Sequence, residues 1–195
     1  MIEVLPQLQV ARLDVVQLFG HGAPLHVDLG CGNGSFLCEM AQQFPDRNFL
    51  GVERLTKRVE KGRRKAEQIQ NVRIIRADTL FAVRYLLPEF SVEAFYLLFP
   101  DPWPKRRHQF RRIFTRGLLD AIAIGLEQHG TLHVATDQVD YFRRIERISR
   151  AHLQFQLVPR SLDAFIFPMT KFEKKFREQG MPIYRLTLRK ISPVT

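Results

Sequence analysis

Short apolar runs alternate with stretches of helical spacing along this chain of 195 residues. Several runs stop abruptly at a glycine or an acid, as in LHVDLG and NFLGVE. They lack polar alternation and are typical of strands buried on both faces. Between them, the apolar residues of segments such as SFLCEMAQQF fall three and four positions apart, as on one face of a helix. The pattern predicts an α/β fold with a Rossmann-like, doubly wound, mostly parallel sheet in a single domain, 1–195.

Seven runs are predicted as strands, at residues 25–30, 48–53, 72–78, 94–101, 131–137, 155–159 and 182–190. Six segments are predicted as helices, at 6–20, 35–44, 55–70, 79–87, 112–128 and 141–152. The last strand differs because its apolar residues alternate with basic ones. We therefore expect it at or near an edge of the sheet, in antiparallel orientation.

Each of the first five predicted strands ends on an acid: Asp28, Glu53, Asp78, Asp101 and Asp137. The carboxyl ends of parallel strands meet at one edge of a sheet, and such folds bind their ligands there. Five carboxylates on one edge would repel each other unless a cation or a hydroxyl-rich ligand binds between them. Capping of the following helix is the alternative for one or two of these acids.

The segment DLGCGNG places three glycines, Gly30, Gly32 and Gly34, between the first strand and its helix. Their G-x-G-x-G spacing differs from the G-x-G-x-x-G of dinucleotide sites, so NAD is the weaker alternative. Asp28, directly before the turn, favours a ligand with a cationic end. S-adenosylmethionine fits, with Asp28 near its methionine part, Glu53 on the ribose and Asp78 near the adenine amino group. This pattern resembles the class I methyltransferases.

Net charge and composition indicate the kind of partner and the cellular compartment. Thirty Lys and Arg against twenty Asp and Glu give a formal net charge of +10, which favours a nucleic-acid partner over a generally basic protein. The two cysteines form neither a disulfide framework nor a metal-binding spacing, so we expect a reducing cytoplasm and no metal. No apolar run approaches the roughly 18 residues of a membrane span, and no signal-peptide pattern is evident.

The segment FPDPWPKRRH, residues 99–108, joins an acid, the single Trp and a cationic run. Its prolines restrict φ and stiffen the chain around Asp101, beside the expected methyl donor. The basic residues that follow are candidates for binding the RNA backbone: Lys105, Arg106, Arg107, Arg111 and Arg112. Two interpretations of Trp103 remain open, packing within the loop and stacking on a base.

FPDPWPKRRHQFRRI, together with ATD at 135–137 and TKFE at 170–173, resembles the tRNA (guanine-N(7)-)-methyltransferase family over roughly residues 25–190. The resemblance implies a seven-stranded class I methyltransferase domain that methylates one guanosine in the variable loop of tRNA. It implies that S-adenosylmethionine is bound by Asp28, Glu53, Asp78 and Asp101. It further implies contacts to the guanosine from Lys105, Asp137, Thr170, Lys171, Phe172 and Glu173.

In this interpretation Asp101 is the catalytic carboxylate, because methylation moves positive charge onto the purine. Lys105 would donate to the guanine carbonyl and Glu173 would accept from its amino edge. The chain departs from the family in a short N-terminus without a basic extension and in an unusually basic segment, 54–65. The alternatives are a methyltransferase acting on another RNA or a small acidic molecule, and a non-catalytic RNA-binding protein. The sequence leaves the oligomeric state open between a monomer and a homodimer.

Overall fold

Seven strands form one sheet: β1 Leu25–Leu29, β2 Asn48–Glu53, β3 Val72–Arg76, β4 Val92–Leu98, β5 Leu126–Thr136, β6 Phe155–Val158 and β7 Tyr184–Lys190. The structure, a computed structural model, describes residues 11–159 and 167–191. The strand order is β3-β2-β1-β4-β5-β7-β6. All residues of β1 and β2 are buried, as the lack of polar alternation in their runs predicts.

Neighbouring strands from β3 to β5 pair in parallel, whereas β7 runs antiparallel to both β5 and β6. The prediction of a mostly parallel, seven-stranded sheet with an antiparallel strand near the C-terminus is confirmed. β7 occupies an inner position, and β6 forms the edge beside it. The chain leaves β1 toward β2 and β3 and then returns to β4 on the other side of β1. This reversal is the switch point at which open α/β sheets bind ligands.

Helices cover both faces of the sheet: α1 Val15–Phe19, α2 Ser35–Gln43, α3 Thr56–Ala66, α4 Thr79–Phe81, α5 Arg116–Gly125, α6 Val139–Arg150 and α7 Lys171–Glu178. A π-helical turn, Ala82–Leu86, continues α4, and a 3₁₀ helix spans Arg106–Arg111. One core lies between the sheet and α2 and α3. The other contains residues of α1, the π-helical turn, α5 and α6. None of the helices in the described ranges is both long and apolar enough to span a bilayer.

The predicted helices differ from the structure in their bounds, and for two of them the structure shows why. The helix predicted at 112–128 is α5, which ends at Gly125, and β5 begins at Leu126. Leu126 is fully buried and pairs with Val92 of β4, so sheet pairing overrides the helical spacing of the sequence. Within the described residues, the helix predicted at 6–20 comprises only α1, which Asp14 caps and Gly20 ends in a left-handed conformation. Residues 6–10 of that prediction lie outside the described range.

Candidate functional site

The glycine turn connects β1 to α2 at the switch point. Gly30, Gly32 and Gly34 have positive φ values of 84°, 58° and 70°, which L side chains rarely adopt. A Cβ atom added at Gly30 or Gly32 would meet no atom within 4 Å. The backbone of the turn therefore faces open space that a ligand can approach closely. Gly34 differs, because its added Cβ would lie 2.7 Å from Cδ1 of Ile74.

Two buried carboxylates flank this turn. Asp28 lies within β1 and Glu53 ends β2, and each is only 4% exposed. Glu53 accepts hydrogen bonds from the backbone N–H of Gly32, at 3.1 Å, and of Leu55, at 2.8 Å. Burial and then the charge of Glu53 raise the pKa of Asp28 to about 7. Within the described residues no cation pairs with Asp28, so a cationic ligand would relieve this repulsion.

These residues fit S-adenosylmethionine. The open turn admits its methionine part, and the uncompensated carboxylate of Asp28 suits an ammonium or sulfonium group. Glu53 uses one lone pair on each oxygen for a backbone N–H, and the remaining lone pairs can accept ribose hydroxyls. Asp78 is exposed, caps α4 and accepts from the N–H of Phe81 at 3.0 Å. The capping alternative therefore applies to Asp78, and its contact with adenine stays a prediction.

The loop after β4 carries the proposed catalytic acid. Asp101 is exposed and lies three residues beyond the end of β4 at Leu98. Two residues beside it, Phe99 and Trp103, have positive φ values of 53° and 41°. Such a conformation is uncommon for residues other than glycine, and strained backbone of this kind clusters at functional sites. The surrounding structure must therefore hold the loop in this shape.

The buried side chain of Arg112 fixes the backbone of the Asp101 loop from the protein interior. It is 3% exposed, and its Nε donates a 2.7 Å hydrogen bond to the carbonyl oxygen of Pro102. Its guanidinium pairs with Asp140 of α6 at 2.5 Å and lies 4.7 Å from the ring centroid of Tyr141. The structure corrects the prediction that Arg112 contacts the RNA backbone, because its side chain is directed into the protein and is already paired. It positions the Asp101 loop instead.

Trp103 packs within the same loop. The guanidinium of Arg111 lies 5.0 Å from its ring centroid, and the ring of His108 meets it edge-on at 5.9 Å. These contacts favour the packing interpretation of Trp103. Arg111 also lies 5.5 Å from the ring of Phe110, which is 77% exposed. Sequence analysis missed Phe110, although an aromatic residue within a basic run is the signal that would have found it.

The cationic residues of the loop are solvent-accessible. Lys105, Arg106, Arg107 and Arg111 are exposed at or within the 3₁₀ helix. They therefore present charge outward on the same loop as Asp101, and their contact with the RNA backbone stays a prediction. At the end of the neighbouring strand β5, Asp137 is half-buried and accepts from the side-chain amide of Gln138 at 2.5 Å.

The TKFE segment begins α7, which was not predicted as a helix. Thr170 caps this helix, and its hydroxyl oxygen accepts from the N–H of Glu173 at 3.1 Å. Glu173 is buried and forms ion pairs with Arg177, at 2.8 Å, and with Arg185 of β7. It therefore ties α7 to the sheet, a role that the sequence did not reveal. Lys171 and Phe172 are exposed.

Aromatic contacts bring α7 to the Asp101 loop. Phe176 lies 5.5 Å from Phe99, measured between ring centroids, and 6.2 Å from Phe172. A cavity of about 770 Å³ lies nearby, and Leu98, Ala135 and Glu173 contribute to its lining. Its volume is in the usual range for small-ligand sites. In the described ranges, no three or more His, Cys, Asp or Glu residues are grouped to hold a metal ion.

Comparisons with known proteins agree with this geometry. The model of a family described as "Putative methyltransferase" (Methyltransf_4) matches residues 22–186. A protein of Halorhodospira halophila named tRNA (guanine-N(7)-)-methyltransferase is 38% identical over 186 residues, which cover 91% of this chain and 79% of that protein. The chain belongs to the tRNA (guanine-N(7)-)-methyltransferase family.

The family includes a Thermotoga maritima protein of the same name, 34% identical over 181 residues. That match covers 92% of this chain but 58% of the Thermotoga protein, so the chain spans little more than half of that relative's length. The solved structure of the 16S rRNA methyltransferase KamB superimposes with a TM-score of 0.65 at 18% identity, covering 94% of this chain and 95% of KamB. This likeness shows the fold that the family member shares with KamB.

Proposed function

We propose that this chain transfers a methyl group from S-adenosylmethionine to N7 of a guanosine in the variable loop of tRNA. One observation carries the proposal. The open glycine turn with its buried acid Asp28 follows β1, and the loop with exposed Asp101 follows the neighbouring strand β4. A cofactor site and a cationic substrate loop therefore adjoin at the switch point of the sheet. The names of the relatives support tRNA guanosine as the substrate.

The cofactor residues have distinct tasks in this proposal. Asp28 binds the cationic methionine end, because its carboxylate is buried without a cationic partner among the described residues. Glu53 accepts from the ribose hydroxyls and holds the glycine turn through Gly32. Asp78 accepts from the adenine amino group with the oxygen that the helix cap leaves free. Bound there, S-adenosylmethionine supplies a methyl group activated by its positively charged sulfur.

The chain's task in methyl transfer is placement and charge stabilisation. Guanine N7 has an in-plane lone pair and no proton, so its attack on the methyl carbon requires no general base. Holding the base in line with the breaking carbon–sulfur bond supplies much of the rate. Positive charge develops on the purine as the bond to N7 forms, and the carboxylate of Asp101 stabilises it. The rigid loop held by Arg112 keeps that carboxylate in position.

The guanosine is recognised by groups on both sides of Asp101. Lys105 is exposed and free to donate to the guanine carbonyl, as cations do when they recognise guanine. Glu173 lines the cavity beside the Asp101 loop, so it both ties α7 to the sheet and accepts from the guanine amino edge with the lone pairs that its two arginines leave free. Asp137 positions the base from the end of β5, while Thr170, Lys171 and Phe172 contact the nucleoside from the start of α7. The target base reaches this site by local opening or flipping out of the folded tRNA.

Methyl transfer to unmodified tRNA tests the proposal. With radiolabelled S-adenosylmethionine, we expect label in tRNA and a single site of reductive cleavage in the variable loop. A tRNA with 7-deazaguanosine at that site lacks the attacking nitrogen and should accept no label. Cofactor binding without RNA methylation would instead indicate a small acidic substrate. Binding of RNA without binding of cofactor would indicate a non-catalytic RNA-binding protein.

A further inference from the structure

The outward face of α3 is almost entirely cationic. Lys57, Lys61 and Arg64 are spaced four and three residues apart, so they lie on one stripe of the helix, and all three are exposed. The buried residues of α3 are Val59, Gly62 and Ala66, which lie on the opposite side. The stripe therefore points directly away from the core into solvent.

A solvated helix surface does not require this pattern. Like charges four residues apart destabilise a helix by roughly 0.2–0.5 kcal/mol per pair, and soluble surfaces usually intersperse both signs. Glu60 is the single acid of α3. By contrast, Glu146 in the basic helix α6 pairs with Arg150 at 2.8 Å. The one-sided charge of α3 indicates an anionic partner.

The position of α3 links this stripe to the cofactor site. A Cβ added to Gly62 would lie 3.3 Å from the backbone of Asn33, so α3 passes directly beside the glycine turn. The ammonium of Lys65 donates a 2.6 Å hydrogen bond to the hydroxyl of Ser35, the first residue of α2. Cationic residues of α3 therefore extend to the edge of the turn.

Lys65 is the residue of α3 on which the charge of α7 acts. Partial desolvation and then the charge of Lys171, with a smaller effect of Lys61, lower the pKa of Lys65. Lys171 lies in the first turn of α7, within the TKFE segment. The exposed cationic residues of α3 that we name the α3 band are Lys57, Lys61, Arg64 and Lys65. Lys171, a predicted guanosine contact, is not part of the band, and its charge acts on Lys65 at the end of the band.

We propose that the α3 band, which lies entirely on α3, binds the phosphate backbone of the tRNA substrate, on the side of the glycine turn away from the Asp101 loop. This proposal rests on the proposed function. A folded tRNA is large enough to contact both surfaces while one guanosine enters the site between them. Contacts to phosphate fix the orientation of the RNA without reading its sequence. The band therefore contributes to tRNA affinity and not to the chemical step.

A matched pair of triple variants tests the band. In the first, Lys57→Gln, Lys61→Gln and Arg64→Gln neutralise the stripe of α3. In the control, Arg143→Gln, Arg147→Gln and Arg150→Gln remove the same charge from exposed positions of α6, on the other face of the sheet. We expect the α3 variant to bind tRNA roughly tenfold more weakly at moderate salt. The slope of log Kd against log salt should fall by about 1 for each phosphate that the variant no longer binds.

Turnover at saturating tRNA and the Kd for S-adenosylmethionine should stay at the wild-type values in both variants, and both should melt as the wild type does. If the α6 control weakened tRNA binding as much as the α3 variant, the effect would come from net charge alone, and the proposal for the α3 band would be wrong. An unchanged Kd and salt slope in the α3 variant would also overturn it, with the proposed function intact. Wild-type protein that binds cofactor and methylates no tRNA would instead overturn the proposed function.

Discussion

The glycine turn and the Asp101 loop adjoin at one edge of the sheet but are built in opposite ways. The turn is fixed by backbone hydrogen bonds, since Gly30 and Cys31 both donate to the carbonyl of Val52 at 2.8 and 3.0 Å. Its acids are buried. The loop has an exposed acid and exposed cations, and its backbone is held by the side chain of Arg112.

This difference matches the sizes of the two proposed ligands, S-adenosylmethionine and tRNA. A small cofactor can be enclosed, so its site uses buried carboxylates, and burial raises the pKa of Asp28. A folded RNA cannot be enclosed, so its site presents flexible charges on a braced loop. Changes in the turn should therefore alter cofactor affinity and its pH dependence, whereas changes in the loop should alter turnover and tRNA affinity.

The largest effect is expected from Asp101→Asn. Removing a positioned charge that stabilises the transition state lowers turnover by roughly 10²–10³. Cofactor and tRNA affinities should stay near the wild-type values. Single-turnover methyl transfer measures this effect, with the exposed Asp46→Asn as a control far from the loop. Weakened tRNA binding with normal turnover of the bound complex would contradict the assignment.

Arg112→Met should have the next largest effect. It removes the hydrogen bond to the Pro102 carbonyl and leaves the loop free to shift, and a displacement of about 1 Å can lower the rate by about 10². The neighbouring Arg111→Met should weaken tRNA binding and leave kcat unchanged. Asp140→Asn keeps the Pro102 contact and should have a smaller effect than Arg112→Met. A change confined to tRNA affinity in Arg112→Met would refute the positioning role.

Cofactor affinity should depend on pH through Asp28. Its pKa is raised to about 7, and a cationic ligand binds the ionised form, so binding releases a proton below that pH. The association constant should fall by about tenfold per unit as pH decreases below 7. Calorimetry in buffers of different ionisation enthalpy measures this release. Asp28→Asn should lower affinity at pH 8 and abolish the dependence; retention of the dependence in that variant would exclude Asp28 as its source.

The same shift predicts a change in stability. A carboxyl with a raised folded pKa favours folding while protonated, so the unfolding free energy should fall as pH rises from about 4 to about 7. Asp28→Asn should therefore melt at a higher temperature than the wild type at pH 8. Near pH 4 the two proteins should melt alike.

The smallest effect is expected from Lys105→Ala. Lys105 is exposed, so its contact to the guanine carbonyl is expected at the lower end of the range for base contacts, about 1 kcal/mol or roughly fivefold in kcat/KM for tRNA. Lys105→Arg should restore most of the activity because it retains a donor. An unchanged kcat/KM in Lys105→Ala would show that Lys105 does not contact the guanine.

Local features of the sequence predicted most of the fold and the cofactor side of the site. The glycine turn is recognisable because its spacing, the strand before it and Asp28 are all contiguous. The start of β5 was not predictable in the same way. The apolar residues after Ala123 continue the spacing of a helix. Only the pairing of Leu126 with Val92 of β4 makes this segment a strand.

The substrate side depends on contacts between distant residues. Arg111 and Arg112 are equivalent in the sequence, and only Pro102 and Asp140, brought together by the fold, direct one inward. Similarly, the pairing of Glu173 with Arg185 needs α7 to lie against β7. A motif can therefore identify such residues as important without distinguishing those that touch the substrate from those that brace them.

The inner position of β7 has a consequence for the order of assembly. During synthesis β6 emerges from the ribosome before β7, the strand with which it pairs in the sheet. The sheet as far as β5 can form with the glycine turn in place, while α7 still lacks the strand that anchors Glu173. A nascent chain would thus form the glycine turn first and complete the surroundings of Glu173 only when β7 inserts between β5 and β6.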